Sequence, residues 1–216
     1  MNRPIIIFMT AIVAVGIFIA GALIYNTSSK KQVSATSAEN ETTLVREHAP
    51  VIGPADAPVT IVEFFDPACE ACRAFYPLIK EILATFEGKV RVVIRYASFH
   101  PQSEEAIRLL EAARKQGKFE VVLERILNVQ PKWAPHGRSA DNLWTLLEDT
   151  GLDIERAKLD ATHSNINAVL HQDTTDIQTI GVQQTPTFFV NGKPLPSFGA
   201  EQLYMLVRDE VINSQN

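Results

Sequence analysis

A chain of 216 residues, 46% hydrophobic and 21% charged, has the composition of a folded protein, and its length allows one ordinary domain plus an accessory segment. With a net charge of −5 and no dense Lys/Arg stripe, it lacks the electrostatic footprint of a nucleic-acid binder. Its two cysteines, Cys69 and Cys72, are too few for the disulfide framework of a small secreted scaffold, and a bridge closing so short a loop would constrain the unfolded chain little.

The run from Pro4 to Tyr25 carries no charged residue. Roughly 20 apolar residues at about 1.5 Å each cross a hydrocarbon core of about 30 Å, so residues 1–25 are expected to form a membrane anchor. The stretch is longer than the roughly 7–15 apolar residues of a signal peptide, although Ala20-Gly21-Ala22 leaves a cleavage site as the alternative. Arg3 on one side and Lys30 and Lys31 on the other leave the orientation undecided by charge. Residues 26–48, rich in Ser, Thr, Asn and Glu, read as a flexible linker. Gly53, Pro54 and Pro58 then punctuate the start of a domain spanning residues 49–216.

Val59 to Phe65 is a short run of β-branched and aromatic residues and reads as a buried strand. Asp66-Pro67-Ala68 breaks it, and a helix is expected from Cys69 to about Phe86, with Phe75, Leu78, Ile79, Ile82 and Leu83 at helical spacing. A second strand over Lys89 to Tyr96 completes a β-α-β unit. Residues of about 103–180 lack strand patterning and predict an inserted helical subdomain, with Gly117, Gly151 and Gly181 as stops and a loop over Pro131 to Gly137. Asn191-Gly192 between apolar runs signals a hairpin, and an amphipathic helix over Ala200 to about Ile212 closes the chain. The expected fold is α/β with a mixed sheet.

A cysteine that opens a helix faces unpaired N–H groups and the positive end of the helix dipole, both of which stabilise a thiolate. Cys69 is therefore the expected attacking sulfur. Cys72, three residues on, lies on the same helical face and is the expected resolving one. Glu63 alternates with Ile61 and Phe65 along its strand. It is either a buried acid that exchanges a proton with Cys72 or a strand-edge carboxylate reaching water. Thr185-Pro186 precedes a strand and is a candidate cis bond, at which the Thr185 backbone would meet an extended substrate segment.

The segment GPADAPVTIVEFFDPACEAC from Gly53 to Cys72, together with GVQQTPTFFVNG from Gly181 to Gly192, closely resembles the DsbA-like thiol:disulfide oxidoreductases of the bacterial envelope. The resemblance runs from about Ala49 to the C-terminus. It implies a thioredoxin-like fold with an inserted helical subdomain, a redox pair at Cys69 and Cys72, a cis proline at Pro186 after Thr185, and a buried acid at Glu63. It further implies a domain held outside the cytoplasm, exported cysteine-containing clients, a membrane or periplasmic redox partner, and no cofactor. Oxidase, reductase and isomerase share these residues. Strong oxidants of the group often carry His or Pro between the cysteines; Glu70 and Ala71 stand there instead, and an adjacent negative charge is expected to make Cys69 less acidic and its disulfide less oxidising.

The rival reading is a metal site, because a CxxC supplies two thiolates. Structural zinc needs four ligands, and His100, His136, His163 and His171 are scattered. Cu(I) needs fewer soft ligands, so a copper-binding or copper-protective role is the alternative function. Trp133, Trp144, Phe188 and Phe189 are expected in the core or lining a groove.

Overall fold

The computed structural model describes residues 43–215 apart from 136 and 138. The anchor expected over residues 1–25, most of the linker expected over 26–48, and His136 lie outside the described residues. Among the described residues no helix is long and apolar enough to cross a membrane.

Five strands form one sheet: β1 (Val51–Ile52), β2 (Val59–Phe65), β3 (Val90–Tyr96), β4 (Thr187–Val190) and β5 (Lys193–Pro194), in the order β1-β3-β2-β4-β5. Strands β2 and β3 are parallel, joined by helix α1 (Glu70–Thr85), while β1, β4 and β5 pair antiparallel with their neighbours, so the sheet is mixed. The β4–β5 hairpin turns at Asn191 and Gly192, whose φ values of 47° and 76° are the pair of positive angles that a two-residue turn of matching twist requires. At the other edge Gly53 has φ of 98°, and a Cβ there would sit 2.8 Å from the Val90 carbonyl oxygen, so only glycine fits.

Alternation along the strands divides the core between the two faces of the sheet. Ile61 and Phe65 of β2 meet Ile79 and Ile82 of α1, with Leu203 and Val207 of the closing helix α7 (Ala200–Asn213). Val62 and Phe64 face the other way, against Ile177, Val182 and Leu44. Glu63 shares the α1 side with Ile61 and Phe65 and is 4% exposed, so it points inward rather than to water.

The described residues between 103 and 180 contribute no strand and build α2 (Ser103–Lys115), α3 (Phe119–Asn128), α4 (Gln130–Trp133), α5 (Ile154–Ala161) and α6 (Ser164–Ile180), with two short 3-10 turns before α5. The loop expected from Pro131 therefore begins later, because Pro131 is tolerated in the first turn of α4 and Trp133, 2% exposed, anchors it by donating Nε1–H to the Ile126 carbonyl at 2.8 Å.

The domain also begins earlier than the expected linker boundary: the compact unit starts at Thr43, and Leu44 is 2% exposed. Arg95, fully buried on β3, explains why. Its Nη1 donates to the carbonyls of Thr43 and Leu44 at 2.6 and 2.8 Å, and its Nη2 reaches Asp173 and Asp176 of α6 at 2.7 and 2.6 Å. Arg46 and His48 bind the same two carboxylates, at 2.7 Å each in their shortest contacts. A polar segment that reads as solvated by itself is thus satisfied by partners that arrive with α6.

Candidate active site

Strand β2 ends where Asp66-Pro67 turns the chain away from the sheet. Asp66 is fully buried, and its carboxylate collects the N–H groups of Ala68, Phe99 and His100 at 2.8, 2.9 and 3.2 Å. The Ser103 hydroxyl donates to it as well, and the His100 ring nitrogen Nδ1 lies 2.8 Å away. A buried carboxylate is tolerable only when its lone pairs are filled in this way. The consequence is a rigid turn that delivers Cys69 to the head of α1.

Cys69 is the N-cap of α1, with extended backbone (φ −76°, ψ 123°) and no side-chain oxygen capping the first turn. Its sulfur occupies the place that a capping oxygen would take, facing the otherwise orphaned N–H groups. The Cys69 thiol reaches the Thr185 carbonyl at 3.3 Å, and the Thr185–Pro186 bond is cis. Thus the loop before β4 and the head of α1, 116 residues apart in sequence, meet at one sulfur. Cys72 lies one turn deeper, 1% exposed against 8% for Cys69, and accepts the Asp66 N–H at 3.5 Å. Both cysteines are free thiols.

The electrostatics separate the two sulfurs. Cys69 is lowered from 9.0 to about 5, chiefly because the Cys72 thiol donates to its thiolate. Desolvation opposes this, while the Thr185 side chain and the N–H groups of Cys72 and Ala71 assist. That value lies between about 3.5 for a strongly oxidising member of the group and about 7 for thioredoxin. Cys72 is pushed up, first by burial, then by sharing its proton with Cys69 and by the charge of Glu63. Glu63 itself is raised to about 8, by burial first and by the Cys69 charge second. One acidic thiol, one reluctant thiol and a protonated carboxyl stand together at neutral pH.

The geometry gathers Cys69, Cys72, Thr185 and Pro186, with Glu63 coupled to them through the core side of β2. Two further residues touch the site, Asp66 and Gln130, whose buried amide donates to the Cys69 carbonyl at 3.0 Å. Asp66 had a signal in its position before a helix start, where Asp commonly bonds the following backbone; Gln130 had none. His100 lies in the loop after β3, and its ring is tied to Asp66. Among the described residues no group of three or more His, Cys, Asp or Glu is arranged to hold a metal ion.

A family model described as thioredoxin matches residues 46–209. The Na(+)/H(+) antiporter NhaA of Herminiimonas arsenicoxydans is 32% identical over 143 residues, a match that takes in 66% of this chain but 22% of that protein's length. The shared part is therefore a minor portion of a much longer protein. Among solved structures, a thioredoxin-like oxidoreductase from Silicibacter pomeroyi superposes with a TM-score of 0.65 at 28% identity, covering 79% of this chain and 94% of that one. Oxidised BdbD from Bacillus subtilis superposes with a TM-score of 0.66 at 25% identity, covering 76% and 93%.

Proposed function

The chain belongs to the thioredoxin family, in its DsbA-like group of thiol:disulfide oxidoreductases, and from that membership we propose that it exchanges disulfides with exported, cysteine-containing proteins outside the cytoplasm. In this reading residues 1–25 tether it to the membrane and a membrane or periplasmic redox partner resets it. The observation that carries the proposal is an acidic sulfur at the head of a helix, 3.3 Å from the Thr185 carbonyl and one turn from a second, buried thiol.

The Cys69 thiolate attacks one sulfur of a client disulfide. A Cys69–client bond forms, the client S–S bond breaks, and the departing client thiolate takes a proton. Forming the mixed disulfide removes the Cys69 charge that helps Glu63 hold its proton, and Cys72 then surrenders its own proton to the ionised Glu63 and attacks Cys69 Sγ. The Cys69–Cys72 disulfide forms, the Cys69–client bond breaks and the second client sulfur leaves as a thiolate that takes a proton from water, so the client is reduced by two electrons and the protein oxidised by two. Run backwards, the same atoms oxidise a client dithiol. The Thr185 backbone beside the sulfur receives the extended client segment.

The test is redox equilibration with glutathione together with an insulin-reduction assay. Wild type equilibrates, Cys69→Ser is inert, and Cys72→Ser accumulates a mixed disulfide that dithiothreitol releases. A Cys69 that resists alkylation and never forms the mixed disulfide would overturn the proposal.

A further inference from the structure

We propose that Gln130 is a positioning residue for Cys69: reaching in from the inserted helical layer, its side-chain amide holds the turn that aims backbone N–H groups at the reactive sulfur. The proposal rests on the disulfide-exchange reading above and extends it to a residue 61 positions away in sequence.

Gln130 opens α4 and is 1% exposed. Its Nε2 donates to the Pro67 carbonyl at 2.8 Å and to the Cys69 carbonyl at 3.0 Å, so the two hydrogens of one amide match two carbonyls of one turn. The Cys69 carbonyl is also the first acceptor of α1, taking the Arg73 N–H at 3.2 Å. Held from inside the helix and from outside, that peptide plane cannot rotate. The N–H groups of Ala71 and Cys72, which favour the Cys69 thiolate, belong to the same first turn. Asp66 restrains the other end of the loop through Ala68 and Phe99. Gln130 supplies the restraint on the cysteine's own peptide.

Stability is a poor account of this residue. Its Oε1 is buried and accepts no hydrogen bond from any described residue. An orphaned buried acceptor costs about as much as two ordinary hydrogen bonds yield, so the contacts of the amide largely offset one another in the folding balance. What remains is an effect on the thiolate, and it differs between redox states, because only the reduced form carries a charge for the N–H groups to meet.

The experiment compares wild type with Gln130→Met, which keeps the length of the side chain and removes both donors, and with Gln130→Leu as a second donor-free shape. Three quantities are read: Cys69 ionisation from thiolate absorbance, the equilibrium constant with glutathione, and urea stability of the oxidised and reduced forms. Each variant is expected to raise the Cys69 pKa by about one unit, a tenfold fall in the thiolate-to-thiol ratio at a given pH. The glutathione equilibrium then moves about tenfold toward the disulfide, or about 30 mV, and the reduced form loses more stability than the oxidised form. A variant that folds only when oxidised is the same result in the extreme. Equal losses in both forms with ionisation and equilibrium unmoved, or folding in neither form, would overturn the proposal by making Gln130 purely structural. A wild type that fails to equilibrate with glutathione would instead overturn the disulfide-exchange reading, so the two failures are distinguishable.

Discussion

Acidifying the reduced protein from about pH 7 to about pH 5 removes a definable part of its stability through Cys69 alone. The thiol is lowered from 9.0 to about 5 in the folded state. A depressed folded pKa contributes stability that is complete above the unfolded value and is lost as the pH falls through the folded value. At about pH 7 the unfolded thiol is protonated and the folded one ionised, and at about 1.36 kcal/mol per unit the loss over this window is at most about 2–2.5 kcal/mol. The sulfur is 8% exposed at the head of a helix, and partial solvent screening brings the expected loss down to about 1–1.5 kcal/mol. Glu63, raised to about 8, works in the opposite sense, since its contribution falls as the pH rises toward that value. Comparison with Cys69→Ala, which keeps Glu63, removes most of that background. The assay is urea unfolding of both proteins, fully reduced, at the two pH values. Reduced wild type should lose about 1–1.5 kcal/mol more than the variant, and losses that agree within about 0.5 kcal/mol would refute an ionised Cys69 in the folded state.

Three further outcomes follow from the same geometry. Glu63→Gln should slow closure of the Cys69–client mixed disulfide by Cys72 on the order of 10²-fold, read by stopped-flow release of the client thiol, because the nearby proton acceptor is gone. An unchanged closure rate would remove Glu63 from the proton path. Arg95→Met should cost about 3–5 kcal/mol by leaving two buried carboxylates short of a cation, lowering Tm by roughly 6–20 °C at about 2–4 °C per kcal/mol. It should leave the glutathione equilibrium unmoved, because Arg95 faces the second core, under α6, rather than the cysteines. Gly53→Ala should cost about 1–3 kcal/mol in thermal unfolding, since φ of 98° and a Cβ 2.8 Å from the Val90 carbonyl oxygen both oppose a side chain.

Strands β2 and β3, helix α1, the Asn191-Gly192 hairpin and the pair of cysteines were all legible in the chain itself. Each announces itself through neighbours: alternation at period two, apolar spacing near 3.6, an Asn-Gly turn, two thiols one helical turn apart. The inward aim of Glu63 was legible only as one of two alternatives, because alternation assigns a face without saying what covers it. Burial against α1 resolves it.

The residues that complete the fold and the site are of another kind. Residues 43–48 look like a solvated linker until Asp173 and Asp176 reach them, 125 and 130 positions away. Gln130 is an ordinary polar residue until its amide meets the carbonyl of Cys69. Local order is written in short-range sterics and periodicity, which a sequence carries residue by residue. The identity of a buried hydrogen-bond partner is decided only when the packed fold excludes water and leaves each polar group with whichever neighbour the topology has brought to it.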